Sequence, residues 1–179
     1  MHRLFIAIDF PEDVREALAN MCFGVPAAKW ISKDQLHLTL RFIGDADDTL
    51  FSDIEETLHD VNASRFCLTL KGAGYFPPRK KPNVLWVGME PCEPLMVLRD
   101  EIERLMEELG LEPEPRKYHP HLTLARLRPE APLPKITGFL AANNLFKAEN
   151  IPISEFHLYS SVLMPAGAVH TIETSYQLI

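Results

Sequence analysis

The chain is poor in several things, and each shortage narrows what it can be. Among its 179 residues only three are cysteines, Cys22, Cys67 and Cys92. An odd count, set in apolar surroundings and spaced unlike any zinc motif, excludes a disulfide framework and fits buried thiols in a reducing compartment. No run of about 18 apolar residues exists, so no membrane-spanning helix is expected. The opening stretch Leu4 to Phe10 is interrupted by Asp9 and Pro11 too early for a signal peptide, which leads us to expect a cytoplasmic protein. No excess of positive charge is present either. A formal net charge of −7 and a pI near 5.5 argue against an extended nucleic-acid-coating face, though one phosphate at a chain end remains compatible. Finally, no glycine-rich turn follows the first apolar strand, which disfavours a dinucleotide-binding parallel fold.

What is present is an ordinary core composition, 46% apolar with 24% charged residues, and an excess of proline. Fifteen prolines exceed the usual share of about 5%, and the stretch from Pro113 to Pro134 holds six of them. The periodicity alternates between strand and helix. Leu4, Ile6 and Ile8 mark a strand; Val14, Leu18 and Met21 a helix opened by Pro11; Leu36, Leu38 and Leu40 a strand; Leu50, Ile54 and Leu58 a helix opened by Asp47 and Asp48; and Phe66, Leu68 and Leu70 a third strand. A loop is expected from Lys71 to Pro82. Beyond it come a strand at Val84 to Met89, a helix from Leu95 to Leu109 stopped by Gly110, a strand around Leu122 and Leu124, a weaker helix from Ile136 to Phe146, and two closing strands at Ile153 to Leu163 and Ala168 to Leu178. The β-α-β-α-β order therefore occurs twice. We expect an α+β fold of two similar lobes, antiparallel sheets with outer helices and a cleft between them, spanning 1–179 as one domain with an internal repeat of roughly 1–75 and 82–179.

The repeat carries a marked peptide in each half: Leu36-His37-Leu38-Thr39-Leu40 and Pro120-His121-Leu122-Thr123-Leu124. On an extended strand, His and Thr fall together on the face opposite the leucines. A single such pair is commonplace, whereas core packing gives no reason to place one in both halves. Two imidazoles in one cleft suit a reaction that takes a proton from an attacking oxygen and delivers one to a leaving oxygen, as phosphodiester chemistry requires. The threonines are then candidates to hydrogen-bond the phosphate, with arginines balancing charge. Alternation puts Arg41 on the His37 face and Phe42 in the core. Arg126 falls with the leucines, and reaches the site only if its strand ends or bulges after Leu124. Arg116, Tyr118 and Tyr75 are further candidates to touch substrate, as is the basic tip Arg79-Lys80-Lys81; Trp30, Tyr75 and Trp86 are candidates to stack on a base. His119 beside His121 lacks any partner at metal-ligand spacing, so no metal and no cofactor are expected.

These residues resemble those of the two-histidine phosphoesterases, and within them the RNA 2′,3′-cyclic phosphodiesterases, also called 2′-5′ RNA ligases. The likeness covers Arg3 to Asp9, Leu36 to Gly44, the Gly74-Tyr75-Phe76-Pro77 loop with Val84 to Gly88, and Tyr118 to Arg126. Tyr118 stands where that family usually has phenylalanine. The resemblance implies metal-free opening of a terminal 2′,3′-cyclic phosphate to a 2′-phosphate, with His37 as proton donor, His121 as proton acceptor, and Thr39 and Thr123 on the phosphate. Run in reverse with a 5′-hydroxyl end, the same site would join RNA ends. The expected partners are RNA ends or small cyclic nucleotides, the expected state a monomer. A non-catalytic module that binds nucleotides or RNA ends is the competing class.

Overall fold

A computed structural model describes residues 1–179. The elements run β1 (His2–Asp9), α1 (Glu12–Asn20), β2 (Ala28–Trp30), β3 (His37–Ala46), α2 (Asp48–Thr57), β4 (Phe66–Phe76), β5 (Val84–Met89), α3 (Glu93–Glu108), β6 (Leu122–Leu127), α4 (Leu133–Asn143), β7 (Lys147–Ile153), β8 (Glu155–Met164) and β9 (Gly167–Gln177). Local chemistry explains most of these boundaries. Asp47 caps α2 by accepting the Leu50 N–H at 2.8 Å, and Gly110 ends the turn after α3 with φ of 89°, a conformation glycine adopts without strain. Two strands lie outside the sequence expectation. β2 is three residues long, too short to show a period. β7, which carries Lys147, Glu149 and Pro152 on the edge of the sheet, has the charge and proline of an edge strand and little alternation. The helix expected up to Phe146 stops at Asn143, and the stretch expected as loop from Lys71 is strand as far as Phe76.

All pairings are antiparallel, in the order β7-β4-β5-β6-β3-β1-β8-β9, with β2 also against β6. The two strands that carry the His-x-Thr peptides, β3 and β6, are neighbours at the middle of this order. They share a single register pair, Leu38 with Leu122, and each has its own flank of three strands. Beyond that pair the sheet splays, and β2 occupies the opened edge of β6. The halves of the sheet are not the halves of the sequence: β4 crosses to pair with β5, and β8 returns to pair with β1. Helical side chains such as Leu18, Ile54, Leu98, Ile102 and Ile136 share one continuous core with Leu4, Ile6, Leu38, Leu68, Leu85 and Leu122 of both halves. The opposite face of the sheet keeps only a small apolar cluster of Phe5, Ala7 and Tyr159 and is left free for polar side chains.

Candidate active site

Each marked strand bulges immediately after its threonine. In β3, Thr39 pairs with Ala7 and Arg41 with Ile6, so Leu40 is the extra residue; in β6, Thr123 pairs with Trp86 and Ala125 with Leu85, so Leu124 is the extra one. A bulge inverts the facing of the residues that follow it, until the next shift of register. Leu40 and Arg41 are both buried, as are Leu124 and Ala125, and the next residue turns back toward the open face. That residue is Phe42, 48% exposed, in β3, and Arg126, exposed, in β6.

The inversion corrects two expectations. Arg41 is withdrawn from the His37 face: its guanidinium is buried against Glu103 of α3 at 2.9 Å and donates also to the Glu112 carbonyl. That pairing holds the fold, and Arg41 lines the pocket beside the cleft and not the cleft itself. Phe42, expected in the core, lies on the open face, opposite Phe5 and under the Arg3 guanidinium. Arg126 is delivered into the cleft by the bulge that alternation alone does not contain.

The cleft, of about 670 Å³, is walled by His37, Thr39, His121, Thr123 and Arg126 together with His170 of β9 and the tip of the β8–β9 hairpin. No aspartate or glutamate lines it, in a chain that has 25 of them. The two imidazoles are held alike. His37 donates from Nδ1 to the Gln35 carbonyl at 2.7 Å, and His121 donates from Nδ1 to the His119 carbonyl at 2.6 Å. Each bond goes to the residue two positions back and leaves Nε2 for the cleft. The Thr39 hydroxyl donates to His37 Nε2 at 3.1 Å.

Aromatic rings back both histidines. Phe5, stacked on Tyr159 at 4.9 Å, lies 5.0 Å from His37, and Phe76 meets the His121 ring edge-on at 4.9 Å. Trp86 stands behind Phe76 and His119. It packs so closely on Gly74 that a Cβ there would fall 2.3 Å from the indole, which accounts for the glycine. Burial pushes His37 down to about 4, with the charges of His170 and His121 acting the same way and the Gln35 carbonyl opposing. Burial also lowers His121, helped by the charge of His119. Both rings are neutral at pH 7 while the cleft holds no anion.

The remaining candidates divide. Arg116, Lys117 and Tyr118 line a second pocket of about 640 Å³ that shares Thr39 and His121 with the cleft. The Tyr118 hydroxyl donates to the Thr39 carbonyl at 2.8 Å, so the atom by which Tyr118 differs from phenylalanine ties the second motif's approach to the first motif strand. Tyr75 packs against the core and faces neither pocket; its neighbour Phe76 does. Trp30 lines the cleft as well as packing on Phe139 of α4 at 5.5 Å, and Lys81 donates to the Pro129 carbonyl. His170, Lys29 and Phe5 escaped the sequence reading because each is a lone residue on a strand with no repeated partner. One trio of acidic and histidine side chains converges within 4.8 Å, Asp9, Glu155 and His157. There His157 is engaged by Asp9 and Ser175, and the trio does not line the cleft.

A splayed antiparallel sheet that brings two Nε2-presenting histidines, two threonines and an arginine into one carboxylate-free cleft defines a protein built for acid–base work on an anion. The family model described as the 2′-5′ RNA ligase superfamily matches residues 10–162, and the chain belongs to that family. It is 32% identical over 166 residues, 92% of each chain, to an RNA 2′,3′-cyclic phosphodiesterase of Aeropyrum pernix. To the protein of that name from Thermotoga maritima it is 33% identical over 179 residues, covering 95% of this chain and 92% of the other. Among solved structures, E. coli LigT complexed with 3′-AMP superposes with a TM-score of 0.79 at 26% identity, over 99% of this chain and 98% of that one.

Proposed function

We propose that this chain opens the 2′,3′-cyclic phosphate at an RNA end to a 2′-phosphomonoester by metal-free acid–base catalysis. The observation that carries the reading is the matched presentation of His37 and His121: equivalent Nδ1 bonds, equivalent threonines two residues on, and one cleft without a carboxylate. The curated relatives bear the name of this activity. An entering phosphodiester brings a negative charge into the buried site, which raises both imidazoles toward their protonated forms. His121 accepts a proton from water as its oxygen attacks phosphorus. His37 delivers a proton to the ribose O3′ as the P–O3′ bond breaks, so one proton enters the cleft's bases and one leaves. Thr39 and Thr123 donate to the non-bridging oxygens, and Arg126 balances the charge that builds in the transition state. The donor and acceptor assignment follows the family resemblance, since the cleft itself is nearly symmetric.

The second pocket supports a second reading at the same site. It shares His121 with the cleft, so an RNA 5′-hydroxyl lying there is placed where His121 can deprotonate it in place of water, which joins the ends through a 2′-5′ bond. We infer a cytoplasmic monomer acting on RNA ends, built from two similar halves related by duplication. The test is an oligonucleotide ending in a 2′,3′-cyclic phosphate, incubated with and without a 5′-hydroxyl RNA, with product identification. His37→Ala and His121→Ala should each lose at least about 100-fold in turnover, and EDTA should change nothing. Either variant retaining a near-normal rate refutes the mechanism.

A further inference from the structure

Lys29 of β2 and Arg126 of β6 are register partners on neighbouring strands. Both line the catalytic cleft, and no carboxylate approaches either one within 4 Å. Like charges directly across an antiparallel pair are unfavourable, and in an acidic chain a compensating Asp or Glu nearby would be easy to supply. The Lys29 side chain crosses the cleft mouth, its Nζ 3.6 Å from where a Cβ would sit on Gly167 at the hairpin tip. Directly opposed residues of an antiparallel pair lie about 4.5–5.5 Å apart at Cα, so the long side chains of Arg126 and Lys29 can reach neighbouring phosphates of one strand. One phosphodiester carries a single negative charge and needs only one of the two cations.

We propose that Lys29 forms a second phosphate subsite, which takes the phosphate on the 5′-oxygen of the nucleoside whose 2′,3′-cyclic ester is opened. This rests on the hydrolytic reading above and extends it to substrate class. Arg126 serves the scissile phosphate, Lys29 the next, and two anions relieve the repulsion between the two cations. The preferred substrate is therefore a nucleotide with a charged 5′ substituent: either a 5′-monophosphate or the internucleotide diester of an oligonucleotide.

Four substrates test this at low ionic strength: adenosine 2′,3′-cyclic phosphate, its 5′-phosphorylated form, the dinucleotide ApA with a terminal cyclic phosphate, and that dinucleotide with a neutral methylphosphonate linkage. The wild-type protein should show about a tenfold higher kcat/KM for a charged 5′ group, and the neutral linkage should forfeit the gain. A gain confined to the monophosphate or to the diester identifies which source the subsite accepts. Lys29→Gln should abolish the gain, read as the ratio of kcat/KM on each charged substrate to that on adenosine 2′,3′-cyclic phosphate for the same variant. Equal rates for charged and neutral linkages overturn the proposal, as does a Lys29→Gln loss that is the same on every substrate. If no cyclic ester is turned over, the hydrolytic reading fails, and calorimetry still decides the subsite. Adenosine 2′,5′-bisphosphate should then bind about tenfold more tightly than adenosine 2′-monophosphate to the wild-type protein and no more tightly to Lys29→Gln; equal binding to the wild type overturns the subsite too.

Discussion

The two bulges assign opposite jobs to two arginines at nearly matching places in the repeated peptide, and replacing each by methionine separates them. Arg41 is 7% exposed and paired with Glu103 at 2.9 Å. Removing one partner of a buried ion pair costs about 3–5 kcal/mol. Glu103 would keep two other contacts, the Arg99 guanidinium at 3.6 Å and the Glu114 N–H at 2.9 Å, so the cost for Arg41→Met falls near the low end, about 3 kcal/mol. At about 2–4 °C per kcal/mol for a chain of this size, Tm should drop by about 6–12 °C. Assayed well below that Tm, turnover of the cyclic-phosphate oligonucleotide should stay within about threefold, because Arg41 lines only the adjoining pocket and not the cleft between the two histidines. Arg126→Met should do the reverse. An exposed, unpaired arginine contributes within about 0.5 kcal/mol of stability, whereas a charge-assisted bond to the transition state is worth about 2–3 kcal/mol, or roughly 30- to 150-fold in kcat/KM. Urea or thermal unfolding alongside initial rates reads both effects. Unchanged stability with a large activity loss in Arg41→Met would refute the bulge argument.

Other consequences follow from the same geometry. His37 should titrate near 4 in the free protein, since burial is the main cause of its lowered value, and inorganic phosphate should move that titration upward; imidazole NMR measures both. Unfolding restores an ordinary histidine near 6.5, so between pH 6.5 and 4 the unfolded chain binds the extra proton. The contribution of His37 to stability is thus intact above that window and is lost as pH falls through it. A His37 resonance titrating at its ordinary value in the free protein would contradict the burial. Gly74→Ala would drive a methyl into the Trp86 indole, with a cost of about 1–3 kcal/mol for overpacking. Because Trp86 backs Phe76, and Phe76 backs His121, activity should fall with it; an unaltered tryptophan emission and an unaltered rate would rule out this chain of contacts.

Much of the site was legible because a strand's alternation is a property of the chain itself. Leucine, histidine, leucine, threonine in an extended backbone must divide between two faces whatever surrounds them, and the recurrence of that peptide in both halves pointed to His37, Thr39, His121 and Thr123 together. The helices with continuous apolar stripes, α1, α2 and α3, were legible for the same local reason. β2 and β7 were not, one for being short and the other for wearing the polar dress of an edge. The positions of Arg41, Phe42 and Arg126 belong to another level. A bulge exists only relative to a partner strand, here β1 for Leu40 and β5 for Leu124, and nothing in the run of residues marks where the register slips. The third cleft histidine, His170, and the cation at Lys29 likewise reach the cleft through long-range pairing, the β8–β9 hairpin being carried on β1 and β2 being laid against β6.

The sequence by itself determined the chemistry available, paired imidazoles and hydroxyls on the inner strands, since side-chain identity and strand periodicity are local. The tertiary structure decided which charges face the substrate: pairing across the sheet sets the bulges, and the bulges bury Arg41 and expose Arg126.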